Sequence, residues 1–277
     1  MTSTRRIGFL GLPGTGKSTF LGALWLLVQD PALTELVEVR TQGSREYLDE
    51  LADRVSLGLE IHRTEIDANQ RLLLELGFKG KGSAEIEIPD LSGEAVRELI
   101  EERIWHRSLA DTVTNAESMM LFLHPSEIQF PIPANVVEVK TESTREIEKP
   151  RAAAGFKPSD ACTSAKIIEL LENIVELRFD LWPLRLAIVV SAWDRVADDT
   201  NPSRWLDDRL PAVAGFLRAN PDLVNHSVFG VSAQGGQLPE DQTELLKKGD
   251  VSARSYAVLD SGERAPMHAP LDWILWS

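Results

Sequence analysis

The segment from Gly11 to Ser18 constrains the fold of this chain more than any other part of the sequence. It reads Gly-Leu-Pro-Gly-Thr-Gly-Lys-Ser and matches the pattern G-x-x-x-x-G-K-[ST] in full. Its glycines let backbone N–H groups curl around phosphate oxygens, and the helix that starts at Lys17 points its positive dipole end at the same anion. An accidental glycine-rich turn is the alternative. Because the apolar run Ile7 to Leu10 precedes the segment and helix formers follow to Gln29, we predict a strand, a phosphate-binding loop (P-loop) and a buried helix.

The side chains of the P-loop predict which groups of a nucleotide each residue contacts. The Lys17 ammonium reaches the β- and γ-phosphates, so Lys17 is also a predicted catalytic residue, and the Ser18 hydroxyl ligates Mg²⁺. The chain is therefore expected to grip a Mg²⁺–nucleoside triphosphate. The predicted nucleotide-binding residues of this segment are Gly11, Pro13, Gly14, Thr15, Gly16, Lys17, Ser18 and Thr19.

Charge and cysteine content argue against several other classes of function. The 277 residues carry 43 acidic and 29 basic side chains, and the net charge of −14 repels nucleic acid and anionic membrane surfaces. The single cysteine, Cys162, excludes an intrachain disulfide and a multi-cysteine metal site, which suits a reducing cytosol. The apolar stretch Phe20 to Val28 is too short to span a bilayer, and the N-terminus does not resemble a signal peptide. We expect a soluble, cytoplasmic protein with no nucleic-acid partner and no membrane partner.

Two neighbouring segments predict an antiparallel hairpin. Arg71 to Phe78 reads as a strand, residues 79–82 as a turn, and Ala84 to Ile88 as a second strand in which apolar and polar residues alternate. A parallel crossover needs a dozen residues or more, so a connection this short requires antiparallel pairing.

The rest of the chain alternates between strand-like and helix-like segments. The predicted strands are Ser118 to Leu123, Leu184 to Val190 and Ser227 to Val231, and the predicted helices are Arg45 to Leu57, Glu94 to Ser108, Ala165 to Phe179 and Pro202 to Ala219. This alternation predicts an α/β doubly wound sheet in one domain, residues 1–277. Residues 124–164 are proline-rich and charged, and we interpret them as an insertion or mobile loop. The apolar end, Leu271 to Trp276, either docks on the core or forms a partner surface if it is exposed.

A second acidic site is expected where the hairpin ends. Asp90 follows the second strand and begins Asp90-Leu91-Ser92-Gly93. In this place the Asp90 carboxylate would accept a hydrogen bond from Mg²⁺-bound water, and the Gly93 N–H would meet the γ-phosphate. The alternative is a turn in which Ser92 caps the following helix. Because the segment follows a P-loop and a strand, we favour the metal and nucleotide site.

The order of these motifs resembles that of the Ras-like GTPases of the TRAFAC class. The resemblance spans residues 6–234 apart from the insertion, and it implies a three-layer α/β P-loop NTPase fold, a mostly parallel sheet with one antiparallel hairpin strand. The segment Leu91-Ser92-Gly93-Glu94 and the Trp193-Asp194 pair further resemble the bacterial double-GTPase families of conflict and defence loci. The resemblance implies Mg²⁺ as cofactor and GTP or GDP as ligand.

The resemblance also implies which residues read the base. Ser191-Ala192-Trp193-Asp194 stands where the class has N-K-x-D, so Asp194 would pair with the guanine N1 and N2 hydrogens. Ser232-Ala233-Gln234 resembles the S-A-K motif, whose backbone contacts guanine O6, so Ser232 and Ala233 are predicted nucleotide-binding residues. The motif lysine is replaced by Ala192, which weakens guanine binding unless Trp193 stacks on the base. Two alternatives stay open. Trp193 packs against a neighbouring helix and does not stack on the base, or the base that the protein binds is adenine and not guanine.

Catalysis is expected to be slow. Many Ras-like enzymes place a glutamine after D-x-x-G to orient the attacking water, whereas this chain has Glu94, whose charge is unfavourable near the γ-phosphate unless the metal or an arginine offsets it. Thr64 is the predicted switch threonine, a catalytic residue and Mg²⁺ ligand, with Thr41 as the less well placed alternative. A protein partner, another GTPase or an effector, would supply an arginine. The competing hypotheses are a nucleotide-dependent interaction module without turnover, and a P-loop ATPase or kinase, which requires a parallel sheet.

Overall fold

A computed structural model describes most of the chain. The described residues are 5–30, 34–61, 72–80, 82–89, 93–131, 157–178, 181, 183–196 and 200–276. Their strands are β1 (Arg5–Leu10), β2 (Leu36–Gln42), β3 (Leu72–Phe78), β4 (Gly82–Ile88), β5 (Ser118–Leu123), β6 (Leu184–Val190), β7 (Val224–Ser232), β8 (Tyr256–Val258) and β9 (Arg264–Ala265). Their α-helices are α1 (Lys17–Gln29), α2 (Arg45–Ser56), α3 (Glu94–Glu102), α4 (Arg107–Asn115), α5 (Thr163–Leu177), α6 (Pro202–Arg209), α7 (Pro211–Ala219), α8 (Gln242–Lys247), α9 (Val251–Arg254) and α10 (Ala269–Trp276).

One sheet runs through the described residues, with the strand order β2-β3-β4-β1-β5-β6-β7-β8-β9. Strands β4, β1, β5, β6 and β7 are parallel to their neighbours within this group, whereas β3 pairs antiparallel with β4. The predicted hairpin is therefore confirmed, with Leu72 opposite Ile88 and Phe78 opposite Gly82. Strand β4 begins two residues earlier than predicted, and Arg71 lies outside the described residues. The mostly parallel α/β fold is confirmed.

Helices cover both faces of the sheet and make the fold three-layered. Alternate residues of β5 show this division, because Met120 and Phe122 belong to the hydrophobic cluster under α1, α2 and α10, whereas Met119, Leu121 and Leu123 belong to the cluster under α3 to α7. Both faces of the central strands are buried, which is why these strands read as continuous apolar runs in the sequence. Within the described ranges, no helix has both the length and the apolar character needed to cross a membrane.

The two edges of the sheet were not predicted. Strand β2 follows α1 and pairs antiparallel with β3. Of its residues only Leu36 is buried, and the alternation of Val37 and Val39 with Glu38 and Arg40 is a strand pattern that the sequence prediction missed. At the other edge, β8 pairs antiparallel with β7, and β9 with β8. The apolar C-terminal end forms α10, which docks on the core through Leu271, Ile274 and Leu275, as the first of the two alternatives expected.

Two predicted helices are each interrupted in the structure. The segment from Glu94 to Ser108 is divided into α3 and α4, because Arg103 adopts a left-handed conformation with φ of 58° and ends α3. The segment from Pro202 to Ala219 is divided into α6 and α7 at Pro211, which has no N–H to donate and disfavours helical geometry at the preceding residue. A single helix was the wrong prediction in both places.

The predicted insertion at residues 124–164 is described only at its ends. Short 3₁₀ turns form at Pro125–Glu127 and Pro158–Asp160, and α5 begins at Thr163, inside the predicted loop. The two ends are joined, since the Gln129 N–H donates to Thr163 Oγ1 at 2.9 Å and the Thr163 N–H donates to the Gln129 carbonyl at 2.9 Å. Residues 132–156 lie outside the described residues, so the insertion and the single domain stay predictions.

Candidate nucleotide-binding site

A cavity of about 650 Å³ opens at the carboxyl ends of the parallel strands. This edge is where open α/β sheets bind ligands, and the volume lies in the range of small-molecule sites. The P-loop forms one side of the cavity, and the segments that follow β5, β6 and β7 form the other. Its lining includes Pro13, Gly14, Thr15, Gly16, Lys17, Ser18, Thr19, Glu60, Ile61, His124, Glu127, Ser191, Ala192, Asp194, Arg195, Ala233 and Gln234.

The P-loop is held in its curled shape by its own hydrogen bonds. Thr15 is buried, and its hydroxyl donates to the Leu12 carbonyl at 2.8 Å. A Cβ at Gly11 would lie 2.6 Å from Thr15 Oγ1 and 3.0 Å from the Phe122 carbonyl oxygen, so only glycine fits between the loop and β5. The shape therefore depends on side-chain contacts within the loop as well as on the conformational freedom of its glycines.

Lys17 is buried to 5% exposure and lies along the inside of the loop. Its ammonium donates to the carbonyls of Gly11, at 2.8 Å, and Leu12, at 3.1 Å. Helix α1 begins at Lys17, and Gly16 at its N-cap provides no side chain to bond the first-turn N–H groups. Positive charge and helix N–H groups are thus directed at one place in the cavity, which fits a bound phosphate.

Gly16 also links the P-loop to the segment that carries the base-reading candidates. It adopts a left-handed conformation with φ of 89°, and a Cβ there would lie 2.8 Å from the Cβ and Oγ of Ser191. Ser191 in turn donates through Oγ to the Leu123 carbonyl at 3.0 Å. The ends of β5 and β6 and the start of α1 therefore meet at one point of close contact.

Gly93, for which a contact with the γ-phosphate is predicted, lies against the P-loop. Its φ is 83°, and a Cβ would lie 2.7 Å from the Leu12 carbonyl carbon and the Pro13 nitrogen. Glu94 follows in the first turn of α3 and forms an ion pair with Arg97. This arginine offsets the charge that makes a carboxylate unfavourable there. Asp90 and Thr64 lie outside the described residues, and their predicted metal-ligand roles stay predictions.

The opposite side of the cavity brings the base-reading candidates together. Asp194 lies in a 3₁₀ turn after β6, and the Ser232 hydroxyl at the end of β7 donates to Asp194 Oδ1. Ser232 is fully buried and also accepts a hydrogen bond from the Gly235 N–H at 3.0 Å. Asp194 and Ala233 line the cavity, whereas Ser232 lies behind them and fixes the Asp194 carboxylate.

Trp193 packs against the core and does not line the cavity. It is 6% exposed, and a Cβ at Gly230 would lie 2.1 Å from its ring, so the ring covers the backbone of β7. The stacking alternative is therefore wrong for Trp193 in this structure, and packing is correct. Ala192 lines the cavity with φ of 46°, an unusual conformation for a residue other than glycine.

Several residues of the cavity were missed by sequence reasoning. His124 and Glu127 follow β5, Arg195 follows Asp194, and Glu60 and Ile61 follow α2. Burial lowers the pKa of His124, and Arg195 lowers it further, against smaller opposing effects of Glu127 and Asp194. The imidazole is therefore neutral at neutral pH. The signal that would have identified His124 is its place directly after a central parallel strand.

The residues that the structure describes fit a Mg²⁺-bound triphosphate. Gly14 leaves open the space that a Cβ would fill, Lys17 provides the positive charge, and Ser18 lines the cavity. Among the described residues, no group of three or more His, Cys, Asp or Glu side chains is placed to hold a metal by itself. In nucleotide sites Mg²⁺ is commonly held by few protein groups, together with phosphate oxygens and waters.

Comparison with known proteins identifies one family. A family model described as Double-GTPase 1 matches residues 8–274. No protein among the curated sequences matches the chain.

Solved structures with a similar fold are distant. Bacterial selenocysteine-specific elongation factor EF-Sec is 15% identical over 89% of this chain and 28% of its own length, with a TM-score of 0.38. Era from Aquifex aeolicus, bound to GDP and AlF4⁻, is 14% identical over 92% of this chain and 57% of its own length, with a TM-score of 0.36. The nucleolar GTP-binding protein 1 from Plasmodium falciparum is 12% identical over 89% of this chain and 88% of its own length, with a TM-score of 0.41. These likenesses are too weak to support a function, and the chain spans less than two thirds of the length of the first two proteins.

Proposed function

The chain belongs to the Double-GTPase 1 family, and we propose that it is a Mg²⁺-dependent, GTP-binding switch protein that hydrolyses GTP slowly and acts through a protein partner. The observation that carries this proposal is that one cavity joins the P-loop to the Asp194 carboxylate held by Ser232. Phosphate-binding and base-reading groups therefore face the same space. A nucleotide extended between them would contact both.

The phosphate end of the cavity supports binding of a triphosphate with its metal. Lys17 and the first-turn N–H groups of α1 would bind the phosphate oxygens, and Ser18 would hold the metal together with Asp90 and Thr64. Mg²⁺, when bound, would neutralise part of the phosphate charge. Gly93 is close enough to the loop for its N–H to sense a γ-phosphate.

The base end supports guanine rather than adenine. A carboxylate accepts hydrogen bonds, and guanine presents two adjacent donors, N1–H and the N2 amino group, on its Watson–Crick edge. Adenine presents an acceptor at N1, which an ionised carboxylate would repel. Ser232 holds the Asp194 carboxylate in one orientation. Discrimination of guanine from adenine therefore does not cost the free energy of ordering this carboxylate when the nucleotide binds.

Slow hydrolysis follows from the residue after Gly93. Glu94 is acidic and its charge is engaged by Arg97 within the same helix. Neither side chain is then well suited to orient an attacking water or to stabilise charge that develops on the γ-phosphate. A partner that supplies an arginine would accelerate the reaction, and another GTPase or an effector from a bacterial defence system is the partner we propose, in keeping with the family resemblance.

A titration with fluorescent GTP and ATP in Mg²⁺ tests the proposal on nucleotide-stripped protein. We expect tighter binding of GTP than of ATP. The Asp194→Asn variant should lose GTP binding and gain binding of xanthosine triphosphate, because an amide oxygen and amino group complement the altered base edge. Equal binding of GTP and ATP that the substitution does not affect would contradict the assignment of the base-reading residues.

The Glu94–Arg97 ion pair favours a second candidate function, a nucleotide-dependent interaction module that binds GTP without hydrolysing it. A single-turnover hydrolysis assay in the presence of the partner separates the two candidates. Hydrolysis stimulated by the partner supports the switch, whereas intact GTP after partner binding supports the module. The antiparallel pairing of β3 and β4 argues against a P-loop kinase, whose sheet is parallel.

A further inference from the structure

Helix α2 is packed tightly against the helix that begins in the P-loop. It lies between β2 and β3 in the chain, and its N-terminal half faces α1. The helices touch where α1 has Gly22, since a Cβ there would lie 2.8 Å from the Leu51 carbonyl oxygen. Backbone approaches this close leave α2 little freedom to move relative to α1.

Polar contacts fix the same two helices at a second place. The Trp25 indole N–H donates to Asp49 Oδ1 at 2.7 Å, and the Arg45 guanidinium lies 5.1 Å from the centre of a Trp25 ring. Trp25 is fully buried, so its N–H needs this partner. The position of α2 is therefore defined by a side-chain hydrogen bond as well as by packing.

Tyr47 extends from this fixed helix to the predicted metal ligand. Ser44 caps α2 by accepting a hydrogen bond from the Tyr47 N–H at 3.1 Å, and the Tyr47 side chain is 7% exposed. Its hydroxyl donates to Ser18 Oγ at 3.4 Å. A buried phenol on a rigid helix thus reaches the hydroxyl that lies in the wall of the cavity.

A serine hydroxyl rotates freely, and its direction decides whether it can bind a metal. It carries one proton and two lone pairs, and only a lone pair directed at the ion forms a bond. A hydrogen-bonding partner on the side away from the cavity keeps the hydroxyl in one rotamer and directs a lone pair inward. With a metal bound, the Ser18 hydroxyl could instead donate its proton in a hydrogen bond to the Tyr47 oxygen.

We propose that Tyr47 is a positioning residue for Mg²⁺, acting through Ser18. This inference rests on the proposed function, because it requires that Ser18 binds the metal of a bound nucleotide. It adds an element that the P-loop motif does not contain, a tyrosine on α2 that orients the metal-binding hydroxyl. Partners of this kind behind a metal ligand commonly contribute about 10-fold or more to metal affinity.

The test is the Mg²⁺ dependence of nucleotide release from Tyr47→Phe protein. Release of a fluorescent GDP is followed at increasing Mg²⁺ concentrations and in EDTA. We expect the Mg²⁺ concentration that half-maximally slows release to rise by about 10-fold, with no change of the rate in EDTA. A phenylalanine keeps the ring and its packing, so a purely structural role would leave the Mg²⁺ dependence unchanged.

Two controls make the result specific. Tyr256→Phe removes the hydroxyl of the other of the two tyrosines, which lies on β8 opposite Ser232, and should leave the Mg²⁺ dependence of release as it is in the unmodified protein. In a Ser18→Ala background, Tyr47→Phe should have no further effect, because the two hydroxyls act as one unit.

The outcomes separate this inference from the proposed function. If the unmodified protein binds GDP with Mg²⁺-dependent release and Tyr47→Phe releases it with the same dependence, Tyr47 does not position the ligand. An additive effect of Tyr47→Phe and Ser18→Ala would also overturn the inference. If the unmodified protein binds no guanine nucleotide at all, the proposed function itself fails.

Discussion

Gly16 is the residue at which the P-loop contacts the segment that holds the proposed base-reading residues. It combines a left-handed backbone with contact to Ser191, whose segment leads directly into Asp194. The P-loop pattern requires a glycine here for phosphate binding, but the contact with Ser191 adds a second requirement that no motif states. A side chain at residue 16 would displace the base-reading segment as well as the loop.

Gly16→Ala is therefore expected to abolish measurable GTP binding. Gly80→Ala is the matched control, because Gly80 also has a left-handed backbone, with φ of 76°, but nothing lies within 4 Å of its Cβ position. Both variants carry similar backbone strain, about 1 kcal/mol or more, whereas only the first has a steric clash. Fluorescent-nucleotide titration of both proteins measures the difference. Equal loss of binding in both would show that backbone strain alone is responsible.

At the scale of elements, α2 packs against α1, the helix that begins at the end of the P-loop. Strand β2 and helix α2 follow α1 and precede the hairpin, and they add one edge strand and one clamping helix to the parallel core. The β2 edge has an irregular register between Glu38 and Arg40, and such irregularities protect edge strands from pairing with other chains. We therefore expect this region to act through the packing of α2 on α1, and not through pairing of β2 with a strand of another chain.

Gly22→Ala tests this packing. Alanine favours a helix over glycine by about 1 kcal/mol, but the added methyl group would lie 2.8 Å from the Leu51 carbonyl oxygen, and overpacking costs about 1–3 kcal/mol. We expect a net loss of unfolding free energy, measured by urea denaturation. Gly215→Ala in α7 is the control, since nothing lies within 4 Å of its Cβ position, and it should stabilise the protein. Stabilisation by both substitutions would mean that the two helices separate without cost.

At the scale of the whole molecule, the C-terminal region ties the distant parts of the chain together. Arg254 at the end of α9 is 4% exposed and donates to the carbonyls of Val55, at 2.5 Å, and Ser56, at 3.1 Å. These carbonyls belong to the last turn of α2, which a cation stabilises. Burial lowers the pKa of the Arg254 guanidinium, with a smaller opposing effect of Asp250. The tail after the proposed base-reading motif thus contacts the end of α2, the helix that packs on α1.

Arg254→Ala should lower the unfolding free energy by about 2–4 kcal/mol, because it leaves buried carbonyls without their charged donor. Arg107→Ala is the matched control, since the Arg107 side chain is 95% exposed and its pairing with Asp111 across 3.8 Å is worth little. Thermal and urea denaturation of the two variants measure the difference. A loss of the same size in both would contradict a structural role of the buried guanidinium.

The sequence by itself determined the features that depend on neighbouring residues. The P-loop, the bounds of α1, β5 and β6, and the antiparallel hairpin follow from local spacing and hydrophobic pattern, and the structure places them as predicted. Asp194 and Ser232 were identified through a family pattern, although their hydrogen bond joins residues 38 apart. Thr64 and Asp90 stay predictions that the described residues do not reach.

Only the tertiary structure decided how the separate parts meet. The contact of Tyr47 with Ser18 joins residues 29 apart, and that of Arg254 with Val55 joins residues 199 apart. No period in the sequence encodes such pairs, because their distance depends on how whole helices pack. The position of the Trp193 ring was undetermined for the same reason, because the sequence allowed it either to stack on a base or to pack in the core. Because Gly230 has no side chain, the Trp193 ring fits against its backbone, and Trp193 packs in the core.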